Sequence, residues 1–265
     1  MKYHISCPQC LQEQGFPNFE FRQAEMDDKF RIYSTCSKGH KTLTLLQEER
    51  FELLFDLGCE ALLNGDYRGS VLNIAAAVER YHEFFIKVIM LSNGIIENDL
   101  DEIWKFVKSQ SERQLGAFYI IYRMQLKMQP NGFIKDTHNN EVRNDVVHKG
   151  KFSTMEDTNR YDKAAYEYII EGLRILRKDY SESIQKLREH NLHNAIPQGN
   201  KCVVATMSSP SIIGLTSGEK DWGTKSFEEV LSEFKQRIEV KKKITEVSKY
   251  AKYLEVLFSK VNRSE

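Results

Sequence analysis

Phe51-Glu52-Leu53-Leu54-Phe55-Asp56-Leu57-Gly58-Cys59-Glu60-Ala61-Leu62-Leu63, closed by Asn64-Gly65, is the stretch on which the fold turns. Its apolar residues Phe51, Leu54, Phe55, Leu57, Ala61 and Leu62 recur at helical spacing, and Asn-Gly is a helix stop. The next segment repeats the design. Val71, Ala75, Val78, His82, Phe85 and Ile89 line one face and Asn93-Gly94 ends it. Leu100, Ile103, Trp104 and Val107 predict a short third helix. Leu115, Phe118, Tyr119, Tyr122 and Leu126 predict a fourth, stopped by Pro130-Asn131-Gly132. A fifth is entered through Asp136-Thr137 and left through Gly150. A sixth, much longer, begins near Asp157, buries Tyr161, Ala165, Tyr168, Gly172 and Leu176, and runs on into the dense charges between Arg174 and His190. Residues 48–194 therefore read as an all-helical bundle.

Upstream the period is different. Phe19-Glu20-Phe21-Arg22 and Phe30-Arg31-Ile32-Tyr33 alternate as half-buried strands do, and Lys41 to Leu46 could supply a third. Downstream, residues 195–225 are rich in Pro, Gly, Ser and Thr and read as a loop or linker, with one candidate strand near Cys202 to Met207. Residues 226–265 return to helix, and Ile244, Val247, Ala251, Leu254, Phe258 and Val261 form a narrow seam able to pair with a partner helix. The expected fold class is mainly α: a helical bundle with a small N-terminal β-rich domain, residues 1–47, and a C-terminal helical extension.

Composition excludes several classes. Lys plus Arg and Asp plus Glu both number 38, so no net field draws the chain onto nucleic acid or an anionic membrane. Met1-Lys2-Tyr3-His4-Ile5-Ser6-Cys7-Pro8 has no apolar stretch behind its basic residue, and no run reaches the length of a membrane span. Five cysteines, an odd number, with a Cys-x-x-Cys pair point to a reducing, cytoplasmic setting and metal chemistry rather than to a disulfide framework.

Cys7-Pro8-Gln9-Cys10 and Cys36-Ser37-Lys38-Gly39-His40 supply two ligand pairs joined by strands. Three thiolates and an imidazole suit tetrahedral zinc, and four protein ligands leave no open position. Cys7, Cys10, Cys36 and His40 are thus the predicted ligands of a structural zinc ribbon, with His4 a weaker substitute. Gly39 would relax the turn that aims His40. Cys59 reads as core, and Cys202 has no partner at suitable spacing.

The other informative motif is Arg143-Asn144-Asp145-Val146-Val147-His148-Lys149-Gly150. It joins a fixed cation to an imidazole that moves protons near neutrality. Five helical residues turn through about 140°, so the two side chains should not stack on one face of a single helix. They could still meet if the helix loosens at Lys149-Gly150, if the Arg143 side chain sweeps round, or if two copies of the helix face each other. By spacing alone Arg143 also reads as a surface ion-pair residue, and His148 as a C-terminal histidine favoured by the helix dipole.

The motif and its setting resemble the higher eukaryotes and prokaryotes nucleotide-binding (HEPN) superfamily, with its R-x4-6-H motif and polar residue after the arginine. The likeness covers residues 48–190. It implies a metal-independent endoribonuclease acting as a homodimer, with a composite cleft and no catalytic metal. His148 would be general acid or base, Arg143 would stabilise charge on the scissile phosphate, and Asn144 would orient that phosphate. Products would be a 2′,3′-cyclic phosphate and a 5′-hydroxyl. Lys149 could add a phosphate contact, and Glu79, with Glu83 one turn on, could approach the cleft. The resemblance further implies an RNA substrate, a toxin or phage-defence role, and an antitoxin or regulatory partner. The alternative is a non-catalytic module that binds nucleotide, RNA or protein.

Overall fold

The computed structural model describes residues 2–15, 22–215, 218 and 222–247, the side chains of Lys2 and of residues 241–247 excepted. The predicted strand at Phe19 to Phe21 and the seam from Ile244 to Val261 fall outside those descriptions. The chain divides into two compact units. One comprises the described parts of 1–47, 191–209 and 236–265, and the other comprises 48–190 with 210–235.

In the first unit β1 (Lys2–Ile5) precedes a short helix α1 (Pro8–Gln14) and pairs antiparallel with β2 (Arg22–Glu25). A second sheet joins β3 (Arg31–Thr35) to β4 (Lys41–Leu46) antiparallel, with Tyr33 opposite Leu43. Its third strand, formed by Val203–Met207, lies parallel to β4 and sets Val203 opposite Thr42. Flanked on both sides, β4 buries Thr42 to Leu46 completely, as a central strand must.

The second unit is helical. Its first helix α2 (Arg50–Leu63) starts where the Glu52 carboxylate accepts the Glu49 N–H at 2.6 Å. Helix α3 (Tyr67–Ser92) follows through the Asn64-Gly65 turn, Gly65 taking φ +78°. Gly58 lets the two helices close up, since a Cβ there would lie 2.6 Å from the Ile74 side chain. Then come α4 (Glu97–Trp104), α5 (Ser111–Leu126), a 3-10 turn (Gly132–Lys135), α6 (Thr137–Lys149) and α7 (Met155–Asp179). The predicted single long helix is broken. It ends at Tyr180, with φ −133° and ψ 25°, and α8 (Ser181–Ala195) follows and buries Ile184 and Leu187. The strand Val203–Met207 is β5, and α9 (Phe227–Val247) is the last described helix.

Helix α3 runs through the centre, touching α2, α5, α6 and α7. Around it Tyr81, Phe85, Phe118 and Tyr122 are at most 2% exposed and meet edge-on, tilted or stacked, with centroids 5.0 to 6.2 Å apart. Each such ring contributes about 1.5–3 kcal/mol by leaving water. Gly172 of α7 packs against the Tyr81 hydroxyl so closely that a Cβ would collide with it, and that hydroxyl has no hydrogen-bond partner. Gly172→Ala is accordingly expected to cost about 1–3 kcal/mol by overpacking. Tyr81→Phe should cost little and restore much of the loss in the double variant. Equal melting of wild type and Gly172→Ala would refute the close contact.

The loop 211–215 is anchored by carboxylates on α2. Glu52 accepts the Leu215 N–H at 2.7 Å and Asp56 accepts the Ile212 N–H at 2.9 Å. Deeper in, Ser70 Oγ lies 2.8 Å from the Gly58 carbonyl and 2.6 Å from Asp162 Oδ2. The carbonyl can only accept, so once it takes Ser70's single proton the second contact needs a proton on Asp162. Burial pushes this carboxyl up to about 7, against the Ser70 hydrogen bond, and its Oδ1 has no partner. A raised folded-state value favours the protonated form. The stabilisation is complete below the unfolded value of about 4 and is lost as pH rises through about 7, each tenfold gain in proton affinity on folding corresponding to about 1.4 kcal/mol. Glu52, pushed up to about 8 by burial, adds a loss of comparable size that continues to about pH 8, so Asp162 accounts for only part of the fall. Asp162→Asn should flatten the fall in melting temperature between pH 5 and 8. An unchanged slope in that variant would exclude a protonated Asp162.

Candidate functional site

Helix α6 carries the motif and owes little to apolar burial, with Val146 its one fully buried hydrophobic side chain. Its ends are fixed by local chemistry instead. Asp136 accepts the Asn139 N–H at 2.9 Å as N-cap, and Gly150 closes the helix at φ +68°. The ion pair between Arg143 Nη2 and Glu79 Oε1 of α3, 3.0 Å, holds it from the side.

That pair aims the guanidinium. Nη2 also reaches Ser111 Oγ at 3.4 Å, while Nη1 lies 3.0 Å from Asn144 Oδ1 and 3.1 Å from His148 Nε2. Arg143 and His148 therefore meet within one chain. The 140° offset applies to their Cβ atoms, and the long arginine side chain spans it. Because a guanidinium has no acceptor, His148 Nε2 must accept, which puts the ring proton on Nδ1. The imidazole thus presents an unprotonated nitrogen beside a fixed cation, at an exposed position.

Of the two predicted substrate contacts, Glu79 lies beside the motif and Lys149 is held in an ion pair. Glu79 holds Arg143, and Lys149 pairs with Asp145 at 2.7 Å. Lys151 takes the other Asp145 oxygen at 2.7 Å, and the Lys149 and Lys151 hydrogen bonds keep that carboxyl below its usual range. Glu83 pairs with Arg80 and Lys87. His138 sits in the first turn of α6, with Nε2 3.4 Å from Asp157.

Beside Arg143 opens a cavity of about 130 Å³, lined among others by Val78, Glu79, His82, Ser111, Phe133 and Asn139. Sequence reading had no means to find Ser111, which lies 32 residues from Arg143. Asn139 was within reach, being one helical turn before Arg143 on the same face.

In the first unit Cys7, Cys10, Cys36 and His40 converge, with ligand atoms all within 4.8 Å of one another. Cys7 caps α1, its Sγ 3.5 Å from the Cys10 N–H, and Pro8 begins the helix. Across from it Gly39, at φ +85°, turns the chain so that Cys36 and His40 share a backbone hydrogen bond of 3.1 Å. Cys10 Sγ is 3.8 Å from Cys36 Sγ and 3.4 Å from His40 Nδ1. Zn–S bonds of about 2.3 Å at tetrahedral angles put sulfurs about 3.8 Å apart, so the donor set fits such an ion. Burial raises the Cys36 thiol, but hydrogen bonds from the His40 and Lys38 backbone and from Cys7 and Cys10 outweigh it and hold it low. His40 turns Nε2 toward Glu13 Oε1 at 3.5 Å, the carboxylate arrangement that orients a metal-bound imidazole. These four residues can hold a metal ion.

Among the described residues no helix is long and apolar enough to cross a membrane. No family model, curated protein or solved structure matches the chain.

Proposed function

We propose that the chain is a cytoplasmic, metal-independent endoribonuclease of the HEPN type, with a structural zinc bound by Cys7, Cys10, Cys36 and His40. The observation that carries this reading is the 3.1 Å approach of Arg143 Nη1 to His148 Nε2, fixed by Glu79. On binding RNA the guanidinium turns from His148 to the scissile phosphate, with Asn144 orienting the same group. Freed, Nε2 takes the proton of the ribose 2′-hydroxyl, whose oxygen attacks phosphorus. The P–O5′ bond breaks, and the leaving oxygen takes a proton from the same histidine of a second copy. The products are a 2′,3′-cyclic phosphate and a 5′-hydroxyl. An imidazole at the nucleophile and a fixed cation at the developing charge suit these steps. A toxin or phage-defence role, restrained by an antitoxin or other partner, accords with such an activity.

The test is cleavage of single-stranded or transfer RNA by the full chain in magnesium-free buffer with EDTA. Activity is expected in the wild type and its loss in a folded His148→Ala variant. The rival reading, a binding module, draws on the engagement of Arg143 with Glu79, which competes with phosphate. It requires RNA binding without cleavage.

A further inference from the structure

Phe152 and Phe106, 87% and 77% exposed, are the most open of the large hydrophobic side chains described, and both belong to connections tied to the Arg143–His148 pair. One exposed apolar residue needs no explanation, but two phenyl rings about one site, each among lysines, do. Phe152 lies between α6 and α7, four residues after His148, which extended chain spans in about 14 Å at most. The chain is also turned back on the helix. The Lys151 N–H donates to the Asp145 carbonyl at 3.0 Å, and the Lys151 ammonium reaches Asp145 Oδ2 at 2.7 Å. Phe106 lies between α4 and α5. Two residues on, the Lys108 carbonyl accepts from Gln114 Nε2 at 3.0 Å, and Gln114 Oε1 accepts at 2.9 Å from Arg80, the neighbour of the Glu79 that holds Arg143. Ser111, where α5 begins, is itself 3.4 Å from Arg143 Nη2. Neither phenyl packs on another aromatic ring among the described residues. Cations stand beside them instead. Lys105 and Lys108 are exposed and form no ion pair among the described residues, and Lys149 and Lys151 share the one carboxylate of Asp145.

We propose that Phe106 and Phe152 are the two jaws of a clamp for single-stranded RNA, each stacking on a base to either side of the phosphate that meets Arg143. The place of the clamp at the reaction centre rests on the ribonuclease reading; its grip on RNA does not. A phenyl ring stacks on the face of any base, and an unpaired strand can turn its bases out to meet it whereas a duplex keeps them stacked inside. The lysines that flank both rings suit a polyanion. Their charge is modest, because Asp145 takes one of the four and the acids Glu102 and Glu112 are exposed close by in the chain. Stacking therefore supplies most of the affinity, and salt should weaken binding only gently.

The test is equilibrium binding of the full chain to a 2′-O-methyl oligoribonucleotide of mixed sequence, single-stranded and as a duplex, which lacks the 2′-hydroxyl and so needs no turnover. The single strand should bind more tightly than the duplex. Phe106→Ala and Phe152→Ala should each weaken it by about 10-fold or more, as loss of one stacked base does, and leave the duplex unaffected. Both rings are exposed, so these variants should melt as wild type does. Phe152→Trp should keep the affinity, and its added emission should be quenched on binding. Lys105→Gln should lower the slope of log affinity against log salt by about 0.7, the share of one phosphate on a single strand. Absence of binding, equal affinity for duplex and single strand, or full affinity in both folded alanine variants would overturn the clamp. So would alanine variants that change the sedimentation of the free chain and leave RNA affinity alone, since the rings would then be contacts between copies. Cleavage of ordinary RNA at wild-type KM by both alanine variants sinks the clamp alone. Ring-dependent binding without any cleavage of ordinary RNA sinks the ribonuclease and supports the clamp.

Discussion

Removal of a metal held by Cys7, Cys10, Cys36 and His40 is expected to unfold β1, α1 and the Cys36–His40 turn while leaving the helices of residues 48–190 intact. The reason lies in where the apolar burial of the first unit falls. Ile32, Leu43, Leu45 and Leu46 are at most 3% exposed and belong to the β3–β4–β5 sheet. Around α1, in contrast, Cys7, Cys10 and Cys36 are themselves the buried cluster. Without an ion, three converging sulfurs either ionise and repel or stay protonated with little to bury. Structural zinc contributes about 10–16 kcal/mol in zinc-finger peptides, as much as the whole stability of an ordinary domain. Hydrogen exchange should show amides of residues 2–15 and 36–40 losing protection in the metal-free chain, and Cys36→Ser should reproduce this. Glu13→Gln should weaken metal affinity by about 10-fold, through the orientation of His40. Unaltered protection of residues 2–15, once elemental analysis shows the metal gone, would refute the idea.

Sequence legibility followed the range of the forces involved. The ends of α6 were readable because Asp136 and Gly150 act on their own turns, and the metal ligands because Cys-x-x-Cys and Cys-x3-His spacings are local geometry. The break at Tyr180 was not. Leu176 and Ile184 stand two turns apart and continue the helical period across it, and no Gly or Pro marks the stop. Nor could strand propensity at Val203–Met207 name its partner, since the pairing with β4 spans some 160 positions and depends on the folded unit. In the candidate site the motif named Arg143 and His148. Helical angles pointed the wrong way about their meeting, because such angles describe backbones and say nothing of a side chain with four rotatable bonds. That Glu79 would hold the guanidinium, 64 residues away, is a fact of the α3–α6 packing.

The second large effect is expected in RNA cleavage, and three variants divide the mechanism. His148→Ala should lower the rate by about 10²–10⁴-fold, the usual worth of a positioned acid or base. Arg143→Lys keeps a charge but loses the fork that holds phosphate, Asn144 and Glu79 together, and should cost about 10²–10³-fold, mostly in kcat. Glu79→Gln is the more discriminating change. Glu79 pairs with Arg143, so on the proposed ribonuclease reading it is a positioning residue that competes with phosphate for the guanidinium and also fixes its aim. Its neutral variant should bind RNA as tightly as wild type or more so, with a lower KM, yet turn it over about 10-fold more slowly because the guanidinium is no longer aimed. A merely structural ion pair would move the melting temperature and leave the balance of kcat and KM alone. Wild-type cleavage by a folded His148→Ala would remove the imidazole from the reaction. A Glu79→Gln variant with unchanged kcat and KM would show that the ion pair on α3 has no part in aiming Arg143, whatever cuts the RNA.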